Sequence, residues 1–99
     1  MTPEGRVKEL VKAVLKETGA YKFMPVQNGM GEPGLDFYCC FRGWFIAIET
    51  KAPGKVPTPR QEDTIRRIRD AGGIVFVIDG PAGVSELRQL LSTLEYAHP

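Results

Sequence analysis

Apolar residues recur along this chain with two different periods, and the switches between them predict its elements. Val7, Leu10, Val11, Val14 and Leu15 trace a stripe at helical spacing, behind Thr2 as an N-cap and Pro3 at the first helical position. Tyr21 to Val26 can form a short strand. Residues 35–41 and 44–50 are rich in aromatic, β-branched and apolar side chains, and only Arg42-Gly43 separates them, which is the pattern of a β-hairpin. Pro59 to Ala71 reads as a second helix ended by Gly72-Gly73, Ile74 to Asp79 as a strand with a continuous apolar run, and Ser85 to Leu94 as a last helix. Continuous apolarity suggests a strand covered on both faces. The predicted order is α-β-β-β-α-β-α, an α/β domain with a mixed central sheet flanked by helices. Leu87, Leu90, Leu91 and Leu94 give the last helix an apolar face suited to packing on that sheet.

The hairpin carries the first chemical signal. If Arg42 and Gly43 are the two loop residues, Phe41 faces Trp44, and each outward step pairs residues whose numbers keep the same sum. Asp36 then lies opposite Glu49, and the period of two places Lys51 on the same sheet face. One extra loop residue would slip the register and carry Asp36 to the other face. Two carboxylates about 4 Å apart repel by roughly 4 kcal/mol at an effective dielectric of about 20, so the pair should share a proton or recruit a cation. All-oxygen ligands suit Mg²⁺ or Mn²⁺. The same groups could also form a plain ion-pair cluster in which Lys51 bridges Asp36 and Glu49.

Two further residues extend this set. Glu4 continues the apolar stripe of the first helix three residues before Val7, so its carboxylate should point toward the body of the protein, although it would also complement the positive helix end. Thr58-Pro59-Arg60-Gln61 is a capping box, with Gln61 at the third helical position bonding back to Thr58. Capping and a place in an active site are compatible.

Together, Glu4, Gly34-Leu35-Asp36, the run Ala47-Ile48-Glu49-Thr50-Lys51-Ala52-Pro53-Gly54 and then Thr58-Pro59-Arg60-Gln61 resemble the VRR-NUC branch of the PD-(D/E)XK nucleases, over nearly the whole chain. The resemblance implies a restriction-endonuclease-like core in residues 1–99. It implies that Asp36 and Glu49, with Thr50 and Glu4, bind a divalent metal, that Lys51 assists the water, and that Gln61 completes the catalytic set. Leu35 stands where the family commonly has proline before the aspartate. The expected activity is a Mg²⁺- or Mn²⁺-dependent endonuclease for branched DNA, four-way (Holliday) junctions first, working as a homodimer like junction resolvases. A nuclease for flap, nicked or linear duplex DNA, or a non-catalytic DNA-binding module with the same fold, is the alternative.

Composition narrows the choice only slightly. Thirteen basic against twelve acidic residues give a net charge of +1, far from the basic balance of many DNA binders. The distribution is uneven, however: Lys51, Lys55, Arg60, Arg66, Arg67 and Arg69 outnumber Glu62, Asp63 and Asp70 between Lys51 and Asp70. Lys55 and Arg60 flank the candidate site and are the better phosphate contacts, whereas Arg66, Arg67 and Arg69 read as a solvated helix face. Gly29-Met30-Gly31-Glu32-Pro33-Gly34 formally matches G-x-G-x-x-G, but Pro33 interrupts it and a strand follows, so it is read as a loop in which Gln27 and Asn28 could touch DNA. Neighbouring Cys39 and Cys40 point to opposite faces of a strand and read as reduced thiols, and with the lone His98 they make no zinc set. No apolar run approaches the roughly 20 residues of a membrane span, and the N-terminus lacks the order of a secretion signal, so the expected location is cytoplasmic.

Overall fold

In the computed structural model, residues 1–26 and 34–98 are described. The elements run α1 (Pro3–Thr18), β1 (Tyr21–Phe23), β2 (Phe37–Phe41), β3 (Trp44–Thr50), α2 (Pro59–Asp70), β4 (Ile74–Ile78) and α3 (Pro81–Thr93). The order is the expected one. The sheet is mixed, in the order β1-β2-β3-β4, with β1, β2 and β3 antiparallel to one another in turn and β4 parallel to β3.

Helix α1 begins as its sequence dictates, with the Thr2 hydroxyl accepting from the Gly5 N–H at 3.0 Å and Pro3 in the first turn. It ends at Gly19, whose left-handed conformation lets its N–H reach back to the last carbonyls. Val7, Val11, Val14 and Leu15 are buried, but Leu10 is 43% exposed and lies outside the stripe that faces the sheet. Helices α1 and α3 pack together on one sheet face, where Val11, Leu15, Leu87 and Leu91 meet Phe37, Phe41, Ile46 and Ile48. Helix α2 covers the other face, closing Ile65 over Leu35, Ala47 and Val75. Strand β3 is therefore buried on both sides. A Glu17–Arg88 ion pair at 2.8 Å ties α1 to α3 at the surface, and the guanidinium holds the Glu17 carboxyl below its ordinary value.

Three boundaries differ from expectation by two residues or more. Strand β1 stops at Phe23 instead of continuing to Val26, and the next residue but one is Pro25, which has no N–H to offer a ladder. Strand β2 starts at Phe37, leaving Asp36 on a bend just before it. Helix α3 starts at Pro81, four residues earlier than the leucine pattern suggests, because Pro81 serves as its first residue and the chain at Gly83 lies close against Ile78. Residues 27–33, and with them Gln27, Asn28 and most of the G-x-G-x-x-G match, lie outside the described residues. Among the described residues no helix is long and apolar enough to cross a membrane.

Candidate active site

The hairpin turn sets the geometry of the site. Arg42 and Gly43 both have positive φ, 51° and 82°, the conformation of the tight two-residue turn whose twist matches the flanking strands. Phe41 therefore pairs with Trp44 and Phe37 with Ile48, so the constant-sum register holds along the ladder. Extending it by one step brings Asp36 to the level of Glu49. The C-terminal segment locks this turn: Arg42 donates to the Leu94 carbonyl at 2.9 Å, Trp44 Nε1 to the Glu95 carbonyl at 2.8 Å, and the Arg42 guanidinium lies over the Tyr96 ring.

At the far end of the hairpin, Asp36 and Glu49 are each held by several groups. Asp36 Oδ2 accepts from the Thr50 N–H at 3.0 Å and from the Thr50 hydroxyl at 2.6 Å. Glu49 Oε2 accepts from Gln61 Nε2 at 2.9 Å and lies 3.2 Å from Lys51 Nζ. Glu49 is only 3% exposed. Burial first, and then the charge of Asp36, push its carboxyl above the ordinary range, while Lys51 and the main chain of Asp36 pull it partway back. This is a pair of carboxylates that repel each other in a partly dry place, which is the condition that favours a bound cation.

Gln61 does two jobs with the two ends of one amide. Its Oε1 accepts from the Thr58 N–H at 3.0 Å while the Thr58 hydroxyl accepts from the Gln61 N–H at 3.2 Å, which completes the capping box. That fixes the amide so that Nε2 faces Glu49. The link from β3 to α2 is shaped by Ala52-Pro53-Gly54-Lys55, a turn closed by the Lys55 N–H on the Ala52 carbonyl at 3.0 Å with Gly54 at φ 81°. Asp79, which the sequence pattern did not single out, accepts from the Gly54 N–H at 3.0 Å and pins this turn to the end of β4.

Glu4 is half-buried in the first turn of α1, and among the described residues no three His, Cys, Asp or Glu side chains gather closely enough to hold an ion. What α1 does bring to the carboxylates is Lys8, one turn after Glu4, with Nζ 3.7 Å from Asp36 Oδ1. No motif marked Lys8 beforehand. Of the basic residues, Lys55 and Arg60 are exposed, whereas Arg66 pairs with Asp63 and Asp70, and Arg69 donates to the Val75 carbonyl at 3.0 Å.

The donor set fits a hard divalent cation, because Asp36 and Glu49 offer carboxylate oxygens close enough to feel each other's charge. Mg²⁺ is commonly bound by one or two carboxylates and completes its shell with water and substrate phosphate, so a two-carboxylate site suffices.

Fold and site thus define a small α/β domain with a carboxylate, lysine and amide centre at the C-terminal end of a central strand. No family model matches the chain, and no curated protein does. Its fold is similar to that of a solved structure described as a VRR_NUC domain, with a TM-score of 0.73 and 24% identity, over 95% of this chain and 99% of that one. The resemblance inferred from the motifs therefore holds at the level of the fold.

Proposed function

We propose that this chain is a Mg²⁺- or Mn²⁺-dependent endodeoxyribonuclease that hydrolyses phosphodiester bonds in branched DNA, with four-way junctions as its first substrate. The observation that carries this reading is the convergence of Asp36, Glu49, Lys51 and Gln61 at one strand end. Its likeness in fold to a VRR_NUC domain points the same way. Asp36 and Glu49 would hold the ion, which when bound lowers the pKa of a water and neutralises charge on the phosphate. Thr50 keeps Asp36 in place through two hydrogen bonds, and Glu4 adds negative charge on the neighbouring helix turn. Gln61 fixes the rotamer of Glu49 from α2. Lys51 offers an ammonium to the oxygens that gain negative charge as water attacks phosphorus and the opposite P–O bond breaks. Lys55 and Arg60, both exposed, are assigned to flanking phosphates.

The homodimer in this proposal follows from the substrate: paired cuts in a four-way junction need two active sites, and a second copy of the chain would supply the second one. Strand β1 ends the sheet among the described residues and exposes Tyr21 and Phe23. The test is cleavage of an end-labelled four-way junction against a matched linear duplex, with Mg²⁺, Mn²⁺ or EDTA, and Lys51→Ala as the contamination control. Paired, metal-dependent cuts in the junction alone are expected. Cutting of both substrates replaces junction selectivity with a general duplex or flap nuclease, and no cutting by folded protein leaves a non-catalytic DNA-binding module.

A further inference from the structure

We infer that Lys8 is a built-in cation placeholder for Asp36, competing with the metal ion for that carboxylate and leaving it when the ion binds. The inference rests on the metal-site reading above and concerns how that site is regulated before loading. Charge balance motivates it. Asp36 and Glu49 carry two negative charges, and Lys8 and Lys51 face them with two positive ones. A divalent ion added to this balanced set leaves two surplus positive charges in a partly buried place, so one ammonium must withdraw or an anionic phosphate must arrive.

The geometry identifies Lys8 as the ammonium that withdraws. Lys51 lies 3.2 Å from Glu49 Oε2, within reach of a charged hydrogen bond, and its side chain is 13% exposed. Lys8 lies 3.7 Å from Asp36 Oδ1, beyond hydrogen-bond distance, and its side chain is 29% exposed. Among the described residues its tie to Asp36 is one of charge, on a long flexible stem beside solvent. Asp36 would stay in position after Lys8 leaves, because both Thr50 donors act on Oδ2, the other oxygen. Lys8 is thus a positioning residue that occupies the ion's side of Asp36.

The test is Mn²⁺ titration of the full chain, followed by calorimetry and by the paramagnetic signal of free Mn²⁺, at fixed ionic strength and without DNA. Removing the competing charge in Lys8→Met, or in Lys8→Gln as a second variant, should tighten Mn²⁺ binding about two- to fivefold, the scale of a partly exposed ion pair. Lys8→Arg keeps the charge and should stay within about twofold of the native affinity. A role confined to bracing α1 would lower the melting temperature in Lys8→Met without tightening Mn²⁺ binding. Binding that is lost in Asp36→Ala but unchanged or weakened in both Lys8→Met and Lys8→Gln overturns the placeholder alone. Equal binding by native protein and Asp36→Ala overturns the metal site, and the placeholder with it.

Discussion

Gln61 caps α2 and at the same time bonds Glu49 in the candidate site, and substitution separates the two. Gln61→Ala removes an acceptor from the Thr58 N–H and a donor from Glu49, which should cost about 1–2 kcal/mol and abolish cleavage. Gln61→Glu is subtler, because glutamate at this position also completes a capping box. It should preserve the slow hydrogen exchange of the Thr58 amide that Gln61→Ala loses, and yet stop cleavage, since a third carboxylate would face Glu49. Loss of Thr58 protection in both variants would show that the cap depends on the neutral amide. The cysteines carry a second prediction at this scale. Cys39 is buried, and burial pushes its thiol up to about 11, whereas Cys40 is exposed. A thiol reagent at about pH 8 should label Cys40 alone in native protein and both residues after unfolding, because the reactive thiolate of Cys39 forms only far above that pH. Mass spectrometry of the labelled peptide decides it, and native labelling of Cys39 would show that strand β2 opens readily.

The hairpin is the element on which the site depends, and it was also the most legible part of the chain. Aromatic, β-branched and apolar residues on both arms, with only Arg42-Gly43 between them, predict a register that the ladder from Phe37 to Trp44 repeats residue by residue. Legibility failed where local chemistry and packing compete. Met24 to Val26 is apolar enough for a strand but includes Pro25, and the Pro81–Gly83 run looks like a turn although it opens α3. Leu10 fits the helical stripe numerically, yet it lies past the edge of the surface that α1 buries. In the site, Asp36, Glu49, Lys51 and Gln61 could be read from spacing and motif, while Lys8 could not, because one lysine among the polar positions of a helix carries no signal until α1 is docked. The turn itself yields a prediction. Gly43 sits at φ 82°, and an added Cβ would lie 3.2 Å from the Ala97 side chain, so Gly43→Ala should cost about 1–2 kcal/mol in chemical denaturation. Mn²⁺ affinity should nevertheless be kept, since five ladder pairs hold the register from Phe37↔Ile48 to Phe41↔Trp44. A loss of affinity matching the loss of stability would mean that the turn, and not the ladder, sets the register.

At the scale of the whole molecule, the parallel pairing of β4 with β3 allows α2 to cross over the sheet and deliver Gln61 to the carboxyl end of β3. The cost of this arrangement is a carboxylate buried beside another carboxylate, a repulsion that the two packed cores must offset. If Asp36 and Glu49 were present only for ion pairs with Lys8 and Lys51, divalent metal would leave stability unchanged and Asp36→Ala would simply weaken the fold. If they form a metal site, the folded state binds the ion and the unfolded chain does not, so loading adds stability by mass action. At a Mn²⁺ concentration of about 100 times Kd the gain is roughly 2.7 kcal/mol. For a domain of about 100 residues, each kcal/mol moves the melting temperature by roughly 4–8 °C, so a rise of about 10–20 °C is expected. EDTA should reverse it, and Asp36→Ala should show no rise at all. Glu49→Gln adds the deciding comparison, because it removes the buried charge: its melting temperature should fall short of native protein in Mn²⁺ by most of that rise and approach or exceed it in EDTA. Native protein that melts at the same temperature in Mn²⁺ and in EDTA would assign the carboxylates to ion pairing and remove the metal from the mechanism.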